Sequence, residues 1–283
     1  MPNSSSKPQP QRPAQGSLRP RIDKHRREDP PPELMDGDDL TLEESEQALA
    51  DLARVNRRLL GYGPVIRTLL PRLRETWRRR SETSGEGTAA PIRLLDVGTG
   101  SGDVVQVLAD KARAAGMNVQ VIGLDSKLRH LLAGRRAHPE QPHRRHFRVV
   151  ASADALPFAD GSVDWSLSTL FFHHFGSATN RRILDEMRRV ARTGAAVVDL
   201  RASRWLRRLI GIGLRLGGAG PVATTDGHLS AASAWSPEQV RALIEDSEPL
   251  VELRHRFPFR FSLILRPGSS AQELPSASDD AGS

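Results

Sequence analysis

Cysteine is absent from the 283 residues of the chain, and aromatic side chains make up only 5% of it. Without cysteine the protein has no disulfide framework, no thiolate metal ligand and no cysteine nucleophile. Long hydrophobic runs are also missing, so the sequence offers neither the apolar core of a signal peptide nor a segment that could cross a bilayer. A cytoplasmic location is therefore the expectation.

The positive charge of the chain is concentrated near its start. The formal net charge is +7, and residues 1–32 hold seven Lys or Arg against three Asp or Glu, which leaves four positive charges there. This part is rich in Pro, Ser, Gln and Arg, a composition typical of disorder. We predict a disordered basic tail at residues 1–38 and a second disordered tail at residues 267–283. Basic arms often contact nucleic acid, but residues 1–32 contain no aromatic side chain to stack on a base, so nucleic acid is not an expected partner.

Between the tails, the spacing of apolar residues predicts helices first and then an alternation of strands and helices. Residues 39–80 are predicted to form an N-terminal helical cover, which opens with a capping box at Thr41–Glu44. Residues 91–266 alternate helical segments with short apolar runs typical of buried strands. These strands are predicted near 92–97, 119–124, 147–151, 163–169 and 195–199, with two later β-like runs at 251–257 and 261–265. The alternation is typical of a doubly wound α/β domain with a parallel sheet.

The segment Leu94–Asp103 combines the end of a strand, a glycine turn and the start of a helix. Glycine occupies positions 98, 100 and 102, and an apolar helical stretch begins at Val104. Strand, turn and helix in this order build a ligand-binding site, because glycines let the backbone approach the ligand and the helix N-terminus offers free N–H groups.

Three acidic residues restrict which ligand can bind at this turn. Asp103 stands where a dinucleotide fingerprint has a small residue, and its charge would repel a pyrophosphate. Asp96 lies near the end of a buried strand, where an ammonium group on the ligand would offset the cost of burying its charge. Asp125 ends the next apolar run and can accept hydrogen bonds from both hydroxyls of a ribose. These residues indicate a ligand with a ribose and an ammonium group but no phosphate. S-adenosylmethionine fits this description, and NAD fits it poorly.

Four segments in order resemble motifs of the class I S-adenosylmethionine-dependent methyltransferases. Leu94–Asp103 is similar to their first motif, Gly123–Asp125 to their acidic second motif and Ser152–Phe158 to their adenine-contacting segment. Val163–Phe175 resembles the fourth motif of the UbiE-like branch (methyltransferase type 11). The resemblance covers roughly residues 51–266 and implies a mostly parallel, seven-stranded Rossmann-like sheet with S-adenosylmethionine as cofactor. The cofactor-binding residues that it implies are Asp96, Gly98, Thr99, Gly100, Gly102, Asp125, Ser126, Asp154, Ala155 and Leu170. For Gly102 and Asp154, packing and turn capping are the alternative interpretations.

The segment after the fourth strand bears on the methyl acceptor. It lacks the Asn/Asp-Pro-Pro turn with which methylases of adenine or cytosine hold an amino group, and this argues against methylation of a nucleic-acid base. It suits an apolar small molecule with an ionisable hydroxyl, such as a quinol, a phenol or a polyketide-like compound, methylated at oxygen or carbon. His173 and His174 are the candidate catalytic residues, because imidazole can polarise a hydroxyl near neutral pH. Packing or helix capping is the alternative role for each.

Several polar residues are candidates for the acceptor pocket. Tyr62 lies at the junction of the N-terminal helices, which can cover the cofactor in this fold, and the others lie in loops after the fifth strand. These other candidates are Asp199, Arg201, Asp226 and His228, and the polarity of loops is the alternative explanation for them. The sequence shows no clustered Asp and His residues at metal-ligand spacing, so no metal is expected.

Residues 204–216 mix apolar side chains with four arginines in an amphipathic pattern. A core-packing helix, an apolar lid over the acceptor and a peripheral membrane contact are the three interpretations of this segment. At the level of the whole protein, three alternatives to a small-molecule methyltransferase stay open. They are a nucleic-acid or protein methyltransferase, a non-catalytic protein that retains the cofactor fold, and an NAD-dependent enzyme, which Asp103 disfavours.

Overall fold

The computed structural model describes residues 27–59, 61–84, 89–139, 146–244 and 250–268. The predicted tails therefore lie largely outside the described residues, in the N-terminal 26 positions and from residue 269 onward.

A single seven-stranded sheet forms the centre of this part of the chain, with the strand order β3-β2-β1-β4-β5-β7-β6. Strands β1 to β5 are parallel to their neighbours, whereas β7 is antiparallel to both β5 and β6. The strands are β1 Ile92–Val97, β2 Val119–Asp125, β3 His146–Val150, β4 Val163–Thr169, β5 Ala191–Leu200, β6 Leu250–Arg256 and β7 Arg260–Leu265. The predicted doubly wound, mostly parallel sheet is confirmed.

Eight α-helices connect or cover the strands within the described residues. They are α1 Leu42–Arg58, α2 Gly63–Ser84, α3 Asp103–Ala114, α4 Leu128–Ala137, α5 Ser177–Val190, α6 Arg204–Gly217, α7 Pro221–Ala232 and α8 Pro237–Ile244. The capping box predicted at the start of α1 is present, since the Glu44 N–H donates to the Thr41 hydroxyl and the Glu44 side chain accepts from the Thr41 N–H. No helix among these is both long enough and apolar enough to span a membrane.

Adjacent residues of each central strand point to opposite faces of the sheet, and each face packs against its own set of helices. Leu94 of β1 joins a cluster with Leu69 and Leu73 of α2 and with Leu108 of α3. Leu95, the next residue, joins a cluster on the other face with side chains of α5 and α8. This period of two, with both faces covered, explains why the strands appear in the sequence as nearly continuous apolar runs.

Asp226 and His228, which the sequence placed in a loop, lie instead in the helix α7. Few large apolar side chains mark it, so the sequence has no helical period of hydrophobicity there. The helix follows Gly220 with a proline at its first position, a common start for a helix. A carboxylate oxygen of Asp51 in α1 accepts the Gly220 N–H at 2.6 Å, which ties the start of α7 to the N-terminal cover.

Helix α6 carries the amphipathic pattern of residues 204–216. Leu206 and Leu214 are buried, whereas the opposite side of the helix leaves large apolar side chains exposed. The exposed ones are Trp205, Leu209, Ile212 and Leu216. The first of the three roles, a core-packing helix, accounts only for the buried side, and the lid and the membrane contact stay predictions.

Residues 27–38, predicted to belong to the disordered tail, pack against the carboxyl edge of the sheet. The Arg27 guanidinium donates to the carbonyl oxygens of His173 and Ser233 and lies 4.8 Å from the Trp235 ring centroid. Residues 34–36 form a short 3-10 helix whose first N–H groups are accepted by Asp226 of α7. The prediction is wrong for these residues, because contacts with distant parts of the chain order a segment whose own composition favours disorder.

Replacing Leu73 by alanine should destabilise the protein, because the side chain is fully buried between α2 and the sheet. We expect the free energy of unfolding to fall by about 2–5 kcal/mol, the usual cost of removing a buried leucine side chain. Arg74→Ala, at the exposed neighbouring position, should change it by less than about 0.5 kcal/mol. Denaturant unfolding followed by circular dichroism measures both, and equal effects would show that α2 does not cover the sheet.

Candidate functional site

The turn between β1 and α3 needs its glycines. Gly98, Gly100 and Gly102 have φ angles of 72°, 55° and 77°, in the left-handed region that other residues rarely adopt. At Gly98, a Cβ atom would also lie 2.4 Å from the ring of Phe171. The predicted glycine turn is therefore present, and its backbone approaches the segment after β4 closely.

Asp96 lies at the base of the turn and is almost completely buried. The Thr99 hydroxyl donates to Oδ2 of Asp96 at 2.7 Å, whereas Oδ1 has no hydrogen-bond partner among the described residues. Burial, together with the charges of Asp103 and Asp125, raises the pKa of Asp96 to about 7. A buried carboxylate oxygen without a donor is costly, and the ammonium group of S-adenosylmethionine would supply both a donor and a positive charge.

Asp125, at the end of β2, connects the glycine turn to the start of α4. Its Oδ2 accepts the Gly100 N–H at 2.9 Å, and its Oδ1 accepts the Lys127 N–H at 2.9 Å. A ring nitrogen of His130 lies 3.3 Å from the same Oδ1. The carboxylate is thus held at the edge where β1 and β2 end, as the sequence predicted for a ribose contact.

A cavity of about 150 Å³ opens between the ends of β1, β2 and β4. Of the residues predicted to bind the cofactor, Gly98, Asp125, Ser126 and Asp154 line it. Its other walls are mainly apolar and include Leu124, Ala151, Ala153, Phe171, Phe175 and Ile183. A wall with carboxylates on one side and flat apolar side chains on the other fits a nucleoside, whose sugar is polar and whose base has an apolar face.

The remaining predicted cofactor residues surround this cavity without lining it. Thr99, Gly100 and Gly102 form the turn beside it, and the Ala155 N–H lies 3.4 Å from the Ser152 carbonyl oxygen. The Asp154 carboxylate also accepts the Ser152 hydroxyl at 2.5 Å. This contact agrees with the alternative of turn capping as well as with a ligand contact.

Leu170, at the end of β4, has a φ angle of 53°, which is strained for a leucine. Its side chain packs against the cluster that includes Leu200 and Leu206, and Leu170 does not line the cavity. The strain is consistent with a backbone that is held in a particular direction by the residues after it.

Asp199 of β5 holds the residues that follow Leu170 in place. Its Oδ2 accepts the N–H groups of Phe171 at 3.0 Å and Phe172 at 2.6 Å, and its Oδ1 lies 2.7 Å from Nδ1 of His173. The sequence predicted Asp199 as a pocket residue, whereas in the structure it is fully buried beneath the turn and acts on the site by positioning His173.

His173 and His174 come together with two acidic residues from the N-terminal segment. Nε2 of His173 lies 3.5 Å from Oε1 of Glu33, and Nε2 of His174 lies 3.9 Å from Oε2 of the same side chain. Nδ1 of His174 lies 2.7 Å from the carboxylate of Asp36. Burial alone would lower the pKa of His173, but the charge of Asp199 and hydrogen bonds to Asp199 and Glu33 raise it to about 9. Without a ligand, His173 is therefore a proton donor at neutral pH rather than a base.

Tyr62 joins the N-terminal cover to the glycine turn. Its hydroxyl oxygen lies 3.0 Å from a carboxylate oxygen of Asp103 and 3.1 Å from the carbonyl oxygen of Ala53. Burial and the adjacent charge raise the pKa of Tyr62, so the phenol stays neutral. Tyr62 thus lies where the sequence predicted a lid residue, over the start of α3.

The last three pocket candidates occupy different places. Asp226 accepts the N–H groups of Leu34 at 2.7 Å and Met35 at 3.1 Å, so it holds the segment that carries Glu33. His228 is exposed on α7 beside Gly211 of α6. Arg201 lines a small groove with Arg241 of α8 and His255 of β6. The loop interpretation fails for Asp226 and His228, which lie on a helix whose successive residues point in different directions, whereas Arg201 lies between β5 and α6.

Sequence reasoning missed Glu33, Asp36 and the two phenylalanines at the cavity. Glu33 comes directly before the apolar pair Leu34 and Met35, and Asp36 comes directly after it. This apolar pair within a polar segment was the signal in the sequence that the segment packs against the domain. Because Glu33 is far from the histidines in sequence, spacing along the chain could not show that these three side chains lie close together. Donor atoms of Glu33, His173 and His174 lie within 4.8 Å of one another.

The comparisons with known proteins agree on one family. Residues 95–198 match the family model described as a methyltransferase domain. The chain is 33% identical over 143 residues to a demethylmenaquinone methyltransferase of Thermus thermophilus, a match that covers 50% of this chain and 57% of that protein. It is 31% identical over 126 residues to the ubiquinone/menaquinone biosynthesis C-methyltransferase UbiE of Geobacter sp. strain M21, covering 44% of this chain and 52% of that protein.

The chain therefore spans little more than half the length of these curated relatives. Among solved structures, the plantazolicin methyltransferase BpumL in complex with SAH superposes with a TM-score of 0.51 at 11% identity. The superposition covers 80% of this chain and 96% of that one, and it supports the fold. Residues 95–198 are thus similar to a methyltransferase domain, and the curated relatives that the chain resembles are the UbiE-like methyltransferases named for demethylmenaquinone and for ubiquinone/menaquinone biosynthesis.

Proposed function

We propose that the protein transfers a methyl group from S-adenosylmethionine to an oxygen or carbon atom of an apolar small molecule. A quinol, a phenol and a polyketide-like compound are the acceptor classes that we consider. The observation that carries the proposal is the glycine turn with its two carboxylates, the buried and half-satisfied Asp96 and the cavity-lining Asp125.

On the cofactor side, each part of the site would bind one part of the ligand. Asp96, through its Oδ1 that has no partner among the described residues, would hold the amino-acid end, and Asp125 with Ser126 the ribose. Asp154 and the apolar wall that includes Phe175 and Ile183 would hold the adenine. The cofactor supplies a methyl group on a sulfonium that is a good leaving group, so the task of these residues is to hold the reacting atoms in line.

On the acceptor side, we propose that a polar group of the acceptor meets His173 or His174. Phe171 connects the two sides, since its ring contacts Gly98 and lies 6.1 Å from the His174 ring, measured between centroids. The names of the curated relatives, which refer to demethylmenaquinone and to ubiquinone/menaquinone biosynthesis, favour a quinol.

Transfer of a labelled methyl group tests the proposal. The protein is incubated with labelled S-adenosylmethionine and, in parallel, with a naphthoquinol that lacks its ring methyl group, a phenol, bulk tRNA and a protein extract. We expect label in the organic extract of the naphthoquinol or phenol reaction. Label only in RNA or protein would identify the alternative class of acceptor, and cofactor binding without transfer in any reaction would indicate a non-catalytic protein.

Asp125→Ala should weaken binding of both S-adenosylmethionine and S-adenosylhomocysteine. The substitution removes the carboxylate proposed for the ribose hydroxyls and also releases the Gly100 N–H. We expect the dissociation constant in isothermal titration to rise at least about tenfold, equivalent to about 1.4 kcal/mol. Asp185→Ala, at an exposed position of α5, is the matched control. An unchanged dissociation constant for Asp125→Ala would remove this residue from the site.

Cofactor affinity should rise with pH because the pKa of Asp96 in the free protein is about 7. Below that pH the carboxyl group is mostly protonated and cannot balance the ammonium of the ligand. Between pH 5.5 and pH 7.5 we expect the affinity for S-adenosylhomocysteine to increase by about tenfold, and to remain flat and low in Asp96→Asn. Titrations across this range measure both curves, and parallel pH profiles for the two proteins would contradict the assignment.

A further inference from the structure

We propose that Glu33, His173 and His174, the histidine cluster, form a binding site for one divalent transition-metal ion, with zinc as the best match. Nε2 of each imidazole faces one carboxylate oxygen of Glu33, at 3.5 Å for His173 and 3.9 Å for His174. Two ligand atoms on a tetrahedral zinc ion, each bonded at about 2.0–2.2 Å, lie about 3.4 Å apart. The three donors are thus spaced to bind one ion with only small side-chain movements.

The other ring nitrogen of each histidine is already held by a second carboxylate. Nδ1 of His173 lies 2.7 Å from Asp199, and Nδ1 of His174 lies 2.7 Å from Asp36. When Nδ1–H donates to a carboxylate, Nε2 presents its lone pair, here toward an oxygen of Glu33 that is also an acceptor. In the metal-free protein a proton on Nε2 of His173 fills this contact, and a metal ion would take the place of that proton. Carboxylates behind both imidazoles are the usual outer support of metal-binding histidines.

Charge around the histidine cluster agrees with a divalent cation. Four carboxylates interact electrostatically with the two histidines or with one another. They belong to Glu33, Asp36, Asp199 and Asp226. Arg27 and Arg260 act on Asp199 and supply two positive charges. The carboxylates outnumber the arginines, which favours a cation at the cluster, and a metal ion bound to Nε2 of His173 would displace the proton held there.

The donor set indicates the kind of ion. Two imidazole nitrogens and one carboxylate are ligands of zinc sites that keep a fourth position open, whereas magnesium and calcium prefer oxygen ligands. His174 is partly exposed, so solvent reaches one side of the cluster. If the proposed methyl transfer is correct, the open position would receive an oxygen atom of the acceptor, which would favour acceptors with a hydroxyl or keto group. That part of the inference depends on the proposed function, whereas ion binding does not.

Titration of zinc into the metal-free protein tests the site directly. The whole chain is treated with a chelator, dialysed and titrated with Zn²⁺ and, for comparison, with Mg²⁺ in a calorimeter. We expect one Zn²⁺ ion per chain with micromolar or tighter affinity, and no comparable binding of Mg²⁺. Co²⁺ in place of zinc should give the visible absorption typical of a tetrahedral site.

Glu33→Gln and His174→Ala should each weaken zinc binding at least about tenfold. His228→Ala, which removes an exposed histidine outside the cluster, should leave it unchanged, and circular dichroism checks that all three variants are folded. The proposal is wrong if the wild-type protein binds no zinc, or if its affinity is insensitive to both cluster variants. S-adenosylhomocysteine is titrated into the same samples. Cofactor binding without zinc binding would overturn only the metal site, and zinc binding without cofactor binding only the proposed function.

Discussion

The buried carboxylate of Asp199 is the constraint on which the two halves of the site depend. It accepts N–H groups from Phe171, Phe172, His173 and Leu200 and also holds the imidazole of His173. Burying a carboxylate is costly without such partners, and here the partners are the backbone of the turn after β4. Fixing that turn places Phe171 against the glycine turn and directs His173 toward Glu33. One side chain of β5 therefore fixes the geometry of both the proposed cofactor side and the proposed acceptor side.

The cofactor side could be predicted from the sequence because its residues lie at the ends of neighbouring parallel strands. Asp96 and Asp125 each follow an apolar run, and parallel strands bring such positions to one edge of the sheet. The glycines between them are local signals too, since their left-handed backbone excludes most other residues. Local pattern and tertiary position agree here, and the predicted strands, turn and helix start all appear in the structure.

The acceptor side could not be predicted in the same way, because tertiary contacts rather than local pattern order it. Glu33 lies in a polar, proline-containing segment, and α7 has few large apolar side chains. Both are held by carboxylates that accept backbone N–H groups from distant residues: Asp226 binds Leu34 and Met35, and Asp51 binds Gly220. Hydrogen bonds of this kind cannot be predicted from composition or from the period of hydrophobicity. The same limit applies to Arg201 and His228, whose directions are set by the helix and strand packing around them.

The ordered segment at residues 27–38 has a consequence for comparing this chain with its relatives. The family match runs from residue 95 to residue 198, so it includes both histidines and ends one residue before Asp199, and neither Glu33 nor Asp36 lies within it. The matched region thus carries the two histidines of the proposed acceptor side, whereas Glu33 and Asp36 come from a stretch outside it. Relatives that keep residues 95–198 and differ before residue 39 are expected to recognise the same nucleoside while selecting different acceptors. On the proposed function, exchange of residues 27–38 would alter the acceptor side while leaving the nucleoside contacts of residues 95–198 in place.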